Sequence, residues 1–140
     1  MREASWKDCV EWNSSVKISP DSQRAQSLIE TANERINLIK DVDEKNCNFV
    51  FEDYYTSILE YLQAIVLLKG YKVSNHICLG YYLRDILKNE SLFRMFDDLR
   101  YKRNSLTYYG KRMDFETAKK TIQSCNIFVA EIKNELWEIK

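Results

Sequence analysis

Hydrophobic residues recur at intervals of three and four along most of the chain, which is the spacing of amphipathic helices. The period is cleanest near the C-terminal end, where Ala118, Ile122, Cys125 and Val129 follow one another on one face. Five helices are predicted, over residues 20–40, 48–69, 74–88, 91–110 and from 114 onward. No convincing strand pattern is visible. The expected fold is therefore all-α, an antiparallel bundle of four to five helices with short loops.

Residues that favour helix ends support these boundaries. Ser19 is predicted to cap the first long helix, with Pro20 at its first position. Gly70 and Gly110 are predicted to end the second and fourth helices, because glycine adopts the left-handed conformation that closes a helix. Three further N-caps are predicted: Ser74, Ser91 and Asp114.

The N-terminal segment is predicted to form a short helical arm. Residues 2–13 can form a helix, followed by a linker. Trp6 and Trp12 are costly to expose to water, so we expect the arm to pack on the main body or on a second copy of the chain. The predicted organisation is an arm and linker over residues 1–19 and one helical-bundle domain over residues 20–140.

Composition narrows the class of protein. The chain has 140 residues, 45% of them hydrophobic, and 21 basic residues balance 21 acidic ones. These values indicate one globular domain and disfavour the wrapping of long duplex nucleic acid, which needs a broad basic excess. No apolar run approaches the roughly 18 residues of a membrane span, and the N-terminus lacks a signal-peptide core. We expect a cytoplasmic protein with no membrane partner.

The cysteines and the single histidine give little indication of chemistry. The four cysteines are scattered without a C-x-x-C pair, and we expect small buried thiols in a reducing cytoplasm. With His76 as the one histidine, neither a metal site nor a cofactor is expected. His76 has no partner that the sequence can place, so it is predicted to be a polar surface or interface residue.

Two other groups of residues favour structural roles. Asp97 and Asp98 point about 100° apart on a helix, so they are expected to pair locally, with Tyr101 or Lys102, rather than to act together. A set of tyrosines is compatible with a small-ligand pocket at the centre of the bundle, although such residues are more often core and rim. These tyrosines are Tyr54, Tyr55, Tyr81 and Tyr82.

The stretch from Leu99 to Gly110, LRYKRNSLTYYG, differs from the rest of the chain. Between Leu99 and Met113 there are five cations and no acid, beside the tyrosine pair at 108 and 109. Cations near a helix C-terminus can simply offset the helix dipole. The same composition also suits contacts to phosphate and stacking on bases.

The segment RNSLTYYG, with SLFRMFDDLRYK before it and an amphipathic helix after it, resembles the HEPN domains of prokaryotes. The resemblance extends over roughly residues 20–138 and includes the helix order and the aromatic-rich second helix. It implies a helical bundle of a toxin–antitoxin or other defence system, often encoded beside a small nucleotidyltransferase.

The nuclease motif of that family is an Arg, usually a polar residue after it, and a His about five positions after the Arg. Arg103 and Asn104 match its start, and Tyr108 stands where the His is expected. The resemblance implies that the His acts on the ribose 2′-hydroxyl and the Arg on the phosphate, without a metal. A phenol with a pKa of roughly 10 is a poor base at neutral pH, although it can donate a hydrogen bond or stack. Gly110 stands where some members carry a tyrosine that the nucleotidyltransferase modifies.

The resemblance therefore implies a degenerate or weak metal-independent endoribonuclease that binds RNA. Its catalytic set is Arg103, Asn104 and Tyr108. The predicted nucleic-acid-binding residues around this set are Arg100, Lys102, Tyr109, Lys111 and Arg112.

The spacing of the motif also bears on assembly. Positions 103 and 108 point about 140° apart on a helix, so one copy is not expected to bring both to a single phosphate. A two-fold homodimer can place Arg103 of one chain near Tyr108 of the other, and the resemblance implies such a dimer. The missing His and the zero net charge support an alternative, a non-catalytic dimeric interaction module that binds a nucleotidyltransferase or another protein.

Overall fold

The computed structural model describes residues 3–139 and confirms the all-α bundle. In chain order its elements are α1 (Trp6–Glu11), β1 (Ser15–Lys17), α2 (Ser22–Asn37), α3 (Cys47–Leu68), β2 (Tyr71–Val73), α4 (His76–Asp85), α5 (Glu90–Tyr109) and α6 (Phe115–Ile139). Within residues 3–139 no helix combines the length and hydrophobicity that crossing a membrane requires.

Helix α3 is the central element of the core. Its side chains Phe51, Tyr55, Ile58 and Tyr61 are all buried, and it packs most extensively against α2 and α6. The sequence predicts this position correctly, because a helix that is apolar over more than half of its circumference has to be surrounded by other elements.

The expectation that the chain contains no strand is wrong. Strands β1 and β2 pair antiparallel, with Ser15 opposite Val73 and Lys17 opposite Tyr71. Each strand has three residues, which is too short for an alternating pattern to stand out. The two strands are also far apart in sequence. The sequence therefore does not show that the predicted linker, which contains β1, pairs with the segment between α3 and α4.

Three of the predicted N-caps are displaced. The Asp21 carboxylate, rather than Ser19, caps α2 by accepting from the amide of Arg24 at 3.0 Å. Asn75 and Asn89 cap α4 and α5 in the same way, in place of Ser74 and Ser91. Asparagine and aspartate are as good at this position as serine.

The remaining helix-end predictions are confirmed. The Asp114 carboxylate accepts from the amide of Thr117 at 2.8 Å at the start of α6. Gly70 and Gly110 have φ values of +85° and +63° where α3 and α5 end. Both values lie in the left-handed region that favours glycine.

The N-terminal arm packs on the bundle through one of its two tryptophans. Trp6 is buried and makes edge contacts with the rings of Tyr71 and Tyr82. Its backbone amide donates to the Asp85 carboxylate at 2.8 Å. Trp12, by contrast, is 63% exposed, so the expected burial holds for Trp6 alone.

The cysteine expectation is half wrong. Cys9 and Cys78 form a disulfide that joins α1 to α4, whereas Cys47 and Cys125 are free and buried as expected. The bonded pair is separated by 69 positions, and only the packing of the arm against α4 brings the two sulfur atoms together.

Candidate functional site

A cleft of about 500 Å³ lies where the end of α5 meets the start of α4 and the turn before β1. We call it the cationic cleft, because two arginines and no carboxylate line it among the described residues. Its lining residues are Ser14, Ser74, Asn75, His76, Ile77, Arg100, Arg103, Asn104 and Tyr108. Three distant parts of the chain therefore contribute to one surface.

Close packing of α4 on α5 positions two sides of the cleft. A Cβ atom at Gly80 would lie 3.2 Å from Phe96 and 3.4 Å from Phe93, so the glycine allows the helices to approach closely. His76 lies one turn before Gly80 on α4, and Arg100 lies one turn after Phe96 on α5. The contact at Gly80 thus sets the alignment of His76 with the arginines.

The short sheet builds the third side. The amide of Ser74 donates to the carbonyl oxygen of Ser14 at 2.9 Å, and the Ser74 hydroxyl donates to the same oxygen at 3.2 Å. Asn13, just before, has a φ of +59°, a left-handed conformation that asparagine tolerates better than most residues. The strand pairing that the sequence analysis missed therefore forms part of the cleft.

Arg103 is held by aromatic contacts instead of an ion pair. Its guanidinium carbon lies 5.7 Å from the centroid of the Tyr55 ring and 5.8 Å from that of the Tyr108 ring. It makes no salt bridge within residues 3–139. Its positive charge is therefore available to an anion in the cleft.

The other arginine of the cleft is partly neutralised. Arg100 pairs with Asp97 on the same helix at 3.0 Å, and its Nε is buried without a hydrogen-bond partner in the described part of the chain. The two arginines make the cleft positively charged. The charge of Arg103 has no carboxylate partner within residues 3–139, whereas that of Arg100 is paired with Asp97.

One geometric expectation from the sequence is corrected. Arg103 and Tyr108 of the same chain contact each other and line the same cleft. The 140° argument considered only the direction of the Cα–Cβ bonds. Helical side chains lean toward the preceding turn, so Tyr108 leans back toward Arg103, whose long side chain reaches across the helix surface. A second chain is not needed to bring these two groups together.

His76 also lines the cationic cleft, although the sequence analysis assigned it no functional role. It is the first residue of α4, half-buried, and its ring meets the Tyr55 ring edge-on with centroids 6.1 Å apart. Burial lowers the pKa of the imidazole, and the charges of Arg103 and Arg100 lower it further. The motif segment lies more than 20 residues later in the chain, so no local pattern connects His76 with it.

Tyr55 forms the floor on which His76 and Arg103 both rest. It is 1% exposed, and its hydroxyl has no hydrogen-bond partner within residues 3–139. Burial raises the pKa of Tyr55 to about 12, and the charges of Arg103 and Arg100 oppose that rise. The sequence analysis placed Tyr55 on the central helix and considered it for a central ligand pocket, not for this cleft.

Half of the predicted site residues lie in the cationic cleft. Arg103, Asn104, Tyr108 and Arg100 line it together. Lys102 instead pairs with Asp98 at 2.9 Å, which confirms the local pairing expected for that carboxylate. Lys102 does not line the cleft. Burial raises the pKa of the Cys125 thiol to about 12, and the charge of Lys102 opposes this rise.

The other predicted binding residues surround the end of α5. Tyr109 and Lys111 are exposed and do not line the cationic cleft. Arg112 lines a separate hollow of about 470 Å³ between α5 and the start of α3. These three residues therefore come after the cleft-lining residues in the sequence and do not line the cleft themselves.

The tyrosines considered for a central ligand pocket belong to the core. Tyr54, Tyr55 and Tyr82 are buried, and Tyr81 packs against the ring of Phe93. Among the described residues no group of three His, Cys, Asp or Glu side chains is placed to hold a metal ion.

Comparison with known proteins adds no relative. The sequence matches no protein-family model and no curated protein, and the structure matches no solved structure. The resemblance to HEPN domains therefore rests on the motif, the order of the helices and the aromatic-rich second helix.

Proposed function

We propose that the protein binds single-stranded RNA in the cationic cleft and acts there as a weak, metal-independent endoribonuclease of the HEPN type. The observation that carries this proposal is the convergence of Arg103, Arg100 and Asn104 on a cleft without carboxylates. Guanidinium groups bind phosphate through paired N–H donors, and the amide of asparagine adds a further donor.

The choice of a single strand follows from Tyr108. Its ring is 69% exposed at the rim, with Arg103 beside it, so one face is open to a nucleobase. Unpaired bases stack on aromatic side chains, whereas the bases of a duplex are already stacked on one another. The zero net charge supports the same choice, because one small patch suits a few phosphates and not a long duplex.

The biological setting forms part of the same proposal. A place in a toxin–antitoxin or other defence system, and a nucleotidyltransferase as partner, follow from the resemblance to HEPN domains.

Binding can be tested separately from cleavage with 2′-O-methyl RNA, which lacks the nucleophile for strand scission. Anisotropy of a labelled mixed-sequence strand, titrated in EDTA between about 50 and about 200 mM salt, should show affinity that falls steeply with salt. Arg103→Ala should weaken binding about tenfold and reduce the salt slope by about 0.7, the value for one phosphate contact on a single strand.

Lys102→Ala is the matched control, because it removes a neighbouring cation of α5 that does not line the cleft. It should change affinity by less than about twofold, because Lys102 does not line the cleft and its charge is paired with Asp98. Equal losses of affinity in both variants would contradict the proposal. So would an affinity of the parent protein that does not change with salt concentration. Circular dichroism would verify that both variants are folded.

A dimeric interaction module is the second candidate, and exposed aromatic rings favour it. Tyr101, Tyr108 and Tyr109 are 69%, 69% and 77% exposed near the end of α5. Tyrosines are enriched in the centres of protein interfaces. Light scattering at micromolar concentration tests this candidate: a dimeric mass that does not change with salt supports it, and a monomeric mass counts against it.

A further inference from the structure

The one histidine of the chain lies in the cleft that contains the motif residues, although it comes from a different helix. His76 begins α4, and it lines the cationic cleft with Arg103 and Tyr108 of α5. Tyr108 occupies the motif position at which an imidazole is expected. The cleft therefore contains an imidazole, although not at that position.

We propose that His76 is the general base of this cleft and removes the proton from a ribose 2′-hydroxyl of the bound RNA. The inference rests on the proposed function, since it assumes that Arg103 and Arg100 bind the adjacent phosphate. It adds a catalytic residue that lies outside the motif.

The placement of His76 suits this role. Its ring packs against the Tyr55 ring at 85° with the centroids 6.1 Å apart, and the guanidinium of Arg103 lies over the same Tyr55 ring. The base and the phosphate-binding group thus rest on one rigid, fully buried platform, Tyr55. Such shared support fixes the distance between two groups that must act on neighbouring atoms of one nucleotide.

The ring nitrogens are free to act. Neither nitrogen of His76 makes a hydrogen bond within residues 3–139, so a lone pair is open to the substrate. The charged and titratable groups that face the ring are Tyr55 from α3 and Arg100, Arg103 and Tyr108 from α5. With two cations nearby and no carboxylate lining the cleft, the neutral imidazole is favoured, and this form accepts a proton.

The reaction balances without a further reagent. His76 accepts the 2′-hydroxyl proton as the 2′-oxygen forms a bond to phosphorus, and the bond from phosphorus to the 5′-oxygen breaks. The 5′-oxygen keeps the electron pair and takes a proton from water, and the imidazolium returns its proton to solvent. The products are a 2′,3′-cyclic phosphate and a 5′-hydroxyl, and the arginines stabilise the added negative charge at phosphorus.

The test compares the parent protein with His76→Ala on unmodified single-stranded RNA in EDTA. Cleavage by the parent should leave 2′,3′-cyclic phosphate ends, and His76→Ala should lower the rate about a hundredfold or more. Free imidazole added to His76→Ala should restore part of the rate, which it cannot do if the residue is merely structural. Affinity for 2′-O-methyl RNA should change far less than the rate does.

The pH profile gives a second readout. The rate of the parent should rise with pH and level off below about pH 6.5, the ordinary imidazole pKa, because the surroundings lower the pKa of His76. The cleavage rate of His76→Ala should not show this rise at acidic pH. If the alanine variant fails to fold, His76→Gln keeps the polar shape without the basic nitrogen and should show the same loss.

Several results would overturn the inference. The first is cleavage by His76→Ala at the parental rate, and the second is cleavage that leaves 5′-phosphate ends. The third is a parent protein that binds 2′-O-methyl RNA but does not cleave unmodified RNA. The last result would leave the binding part of the proposed function standing. Absence of any RNA binding by the parent would instead reject the proposed function, and the inference with it.

Discussion

The guanidinium carbon of Arg103 lies 5.8 Å from the centroid of the Tyr108 ring within one chain. This contact joins the first and last residues of the motif at the rim of the cationic cleft. Tyr108 is still 69% exposed, so the arginine orients the ring without covering it. The pair combines a phosphate-binding cation with a surface for stacking.

Tyr108→Ala is therefore expected to weaken binding of single-stranded RNA about five- to 150-fold. The loss corresponds to one stacked base, for which alanine substitution costs about 1–3 kcal/mol. Tyr108→Phe should retain most of the affinity, because the ring and not the hydroxyl makes the contact. The measurement is anisotropy with 2′-O-methyl RNA.

Tyr101→Ala is the control for that experiment. Tyr101 is equally exposed and lies on the same helix, but it does not line the cleft. It should leave the affinity unchanged within about twofold. Similar losses at positions 101 and 108 would indicate a general aromatic surface, such as a protein interface, and would contradict stacking at the cleft.

The parts of the fold that the sequence predicts are those fixed by local pattern. Helix α3 was expected over 48–69 and is found at Cys47–Leu68. Its apolar residues are regular and Gly70 follows it in the left-handed conformation. Gly110 ends α5 for the same reason. Periodicity and a glycine C-cap both act within a few residues, so one sequence is enough to read them.

The parts that the sequence does not predict depend on contacts between distant segments. Strand β1 pairs with β2, Cys9 bonds Cys78, and His76 enters a cleft built by α5. Each of these contacts depends on how the whole chain folds and cannot be predicted from a local segment. For the candidate site, the resemblance predicted three residues that line the cleft, Arg103, Asn104 and Tyr108. The charge pattern also predicted Lys102, which pairs with Asp98 and does not line the cleft.

Asn75→Ala tests whether the start of α4 must be held for the site to work. The Asn75 side chain accepts from the amide of Ile77 at 3.1 Å and so caps the helix that begins with His76. Its loss should lower the free energy of unfolding by about 1 kcal/mol. It should also lower RNA cleavage severalfold, because the first turn carrying His76 then frays and because Asn75 itself lines the cleft.

Asn89→Ala is the matched control, because Asn89 caps α5 in the same way at 3.0 Å from the amide of Leu92. It removes a cap at the far end of α5 from the cleft. The two variants should lose similar stability in chemical denaturation, whereas only Asn75→Ala should affect cleavage. Equal effects on cleavage would show that global stability, and not local order at His76, controls the reaction.

Asp85 makes stability depend on pH at the junction of the arm and the bundle. A side-chain hydrogen bond from Arg84 lowers the pKa of the Asp85 carboxyl, and the amide of Trp6 contributes in the same direction. Because the folded pKa is lowered, the stabilisation is fully present above the unfolded pKa of about 3.9 and is lost as pH falls through the folded value. Asp85→Asn should lower the free energy of unfolding by about 2 kcal/mol at neutral pH.

The difference between Asp85→Asn and the parent should stay constant above about pH 5 and shrink below about pH 4. Denaturation curves at a series of pH values measure it. Asp98→Asn is the control, since Asp98 makes an exposed pair with Lys102 and should contribute little. A difference for Asp85→Asn that persists unchanged to the lowest pH would assign the effect to packing and not to the carboxylate.

The disulfide between Cys9 and Cys78 should contribute substantially to stability, because it closes a loop across 69 positions. Cys9→Ser with Cys78→Ser is expected to lower the free energy of unfolding by about 2–4 kcal/mol. A reductant should lower the melting temperature of the parent but not of the double variant, which separates the effect of the bond from any loss of packing.

Thiol alkylation in intact cells tests the cytoplasmic location expected from the sequence. Reduced Cys9 and Cys78 would agree with that location, whereas complete protection of both would favour an oxidising compartment, where disulfides persist.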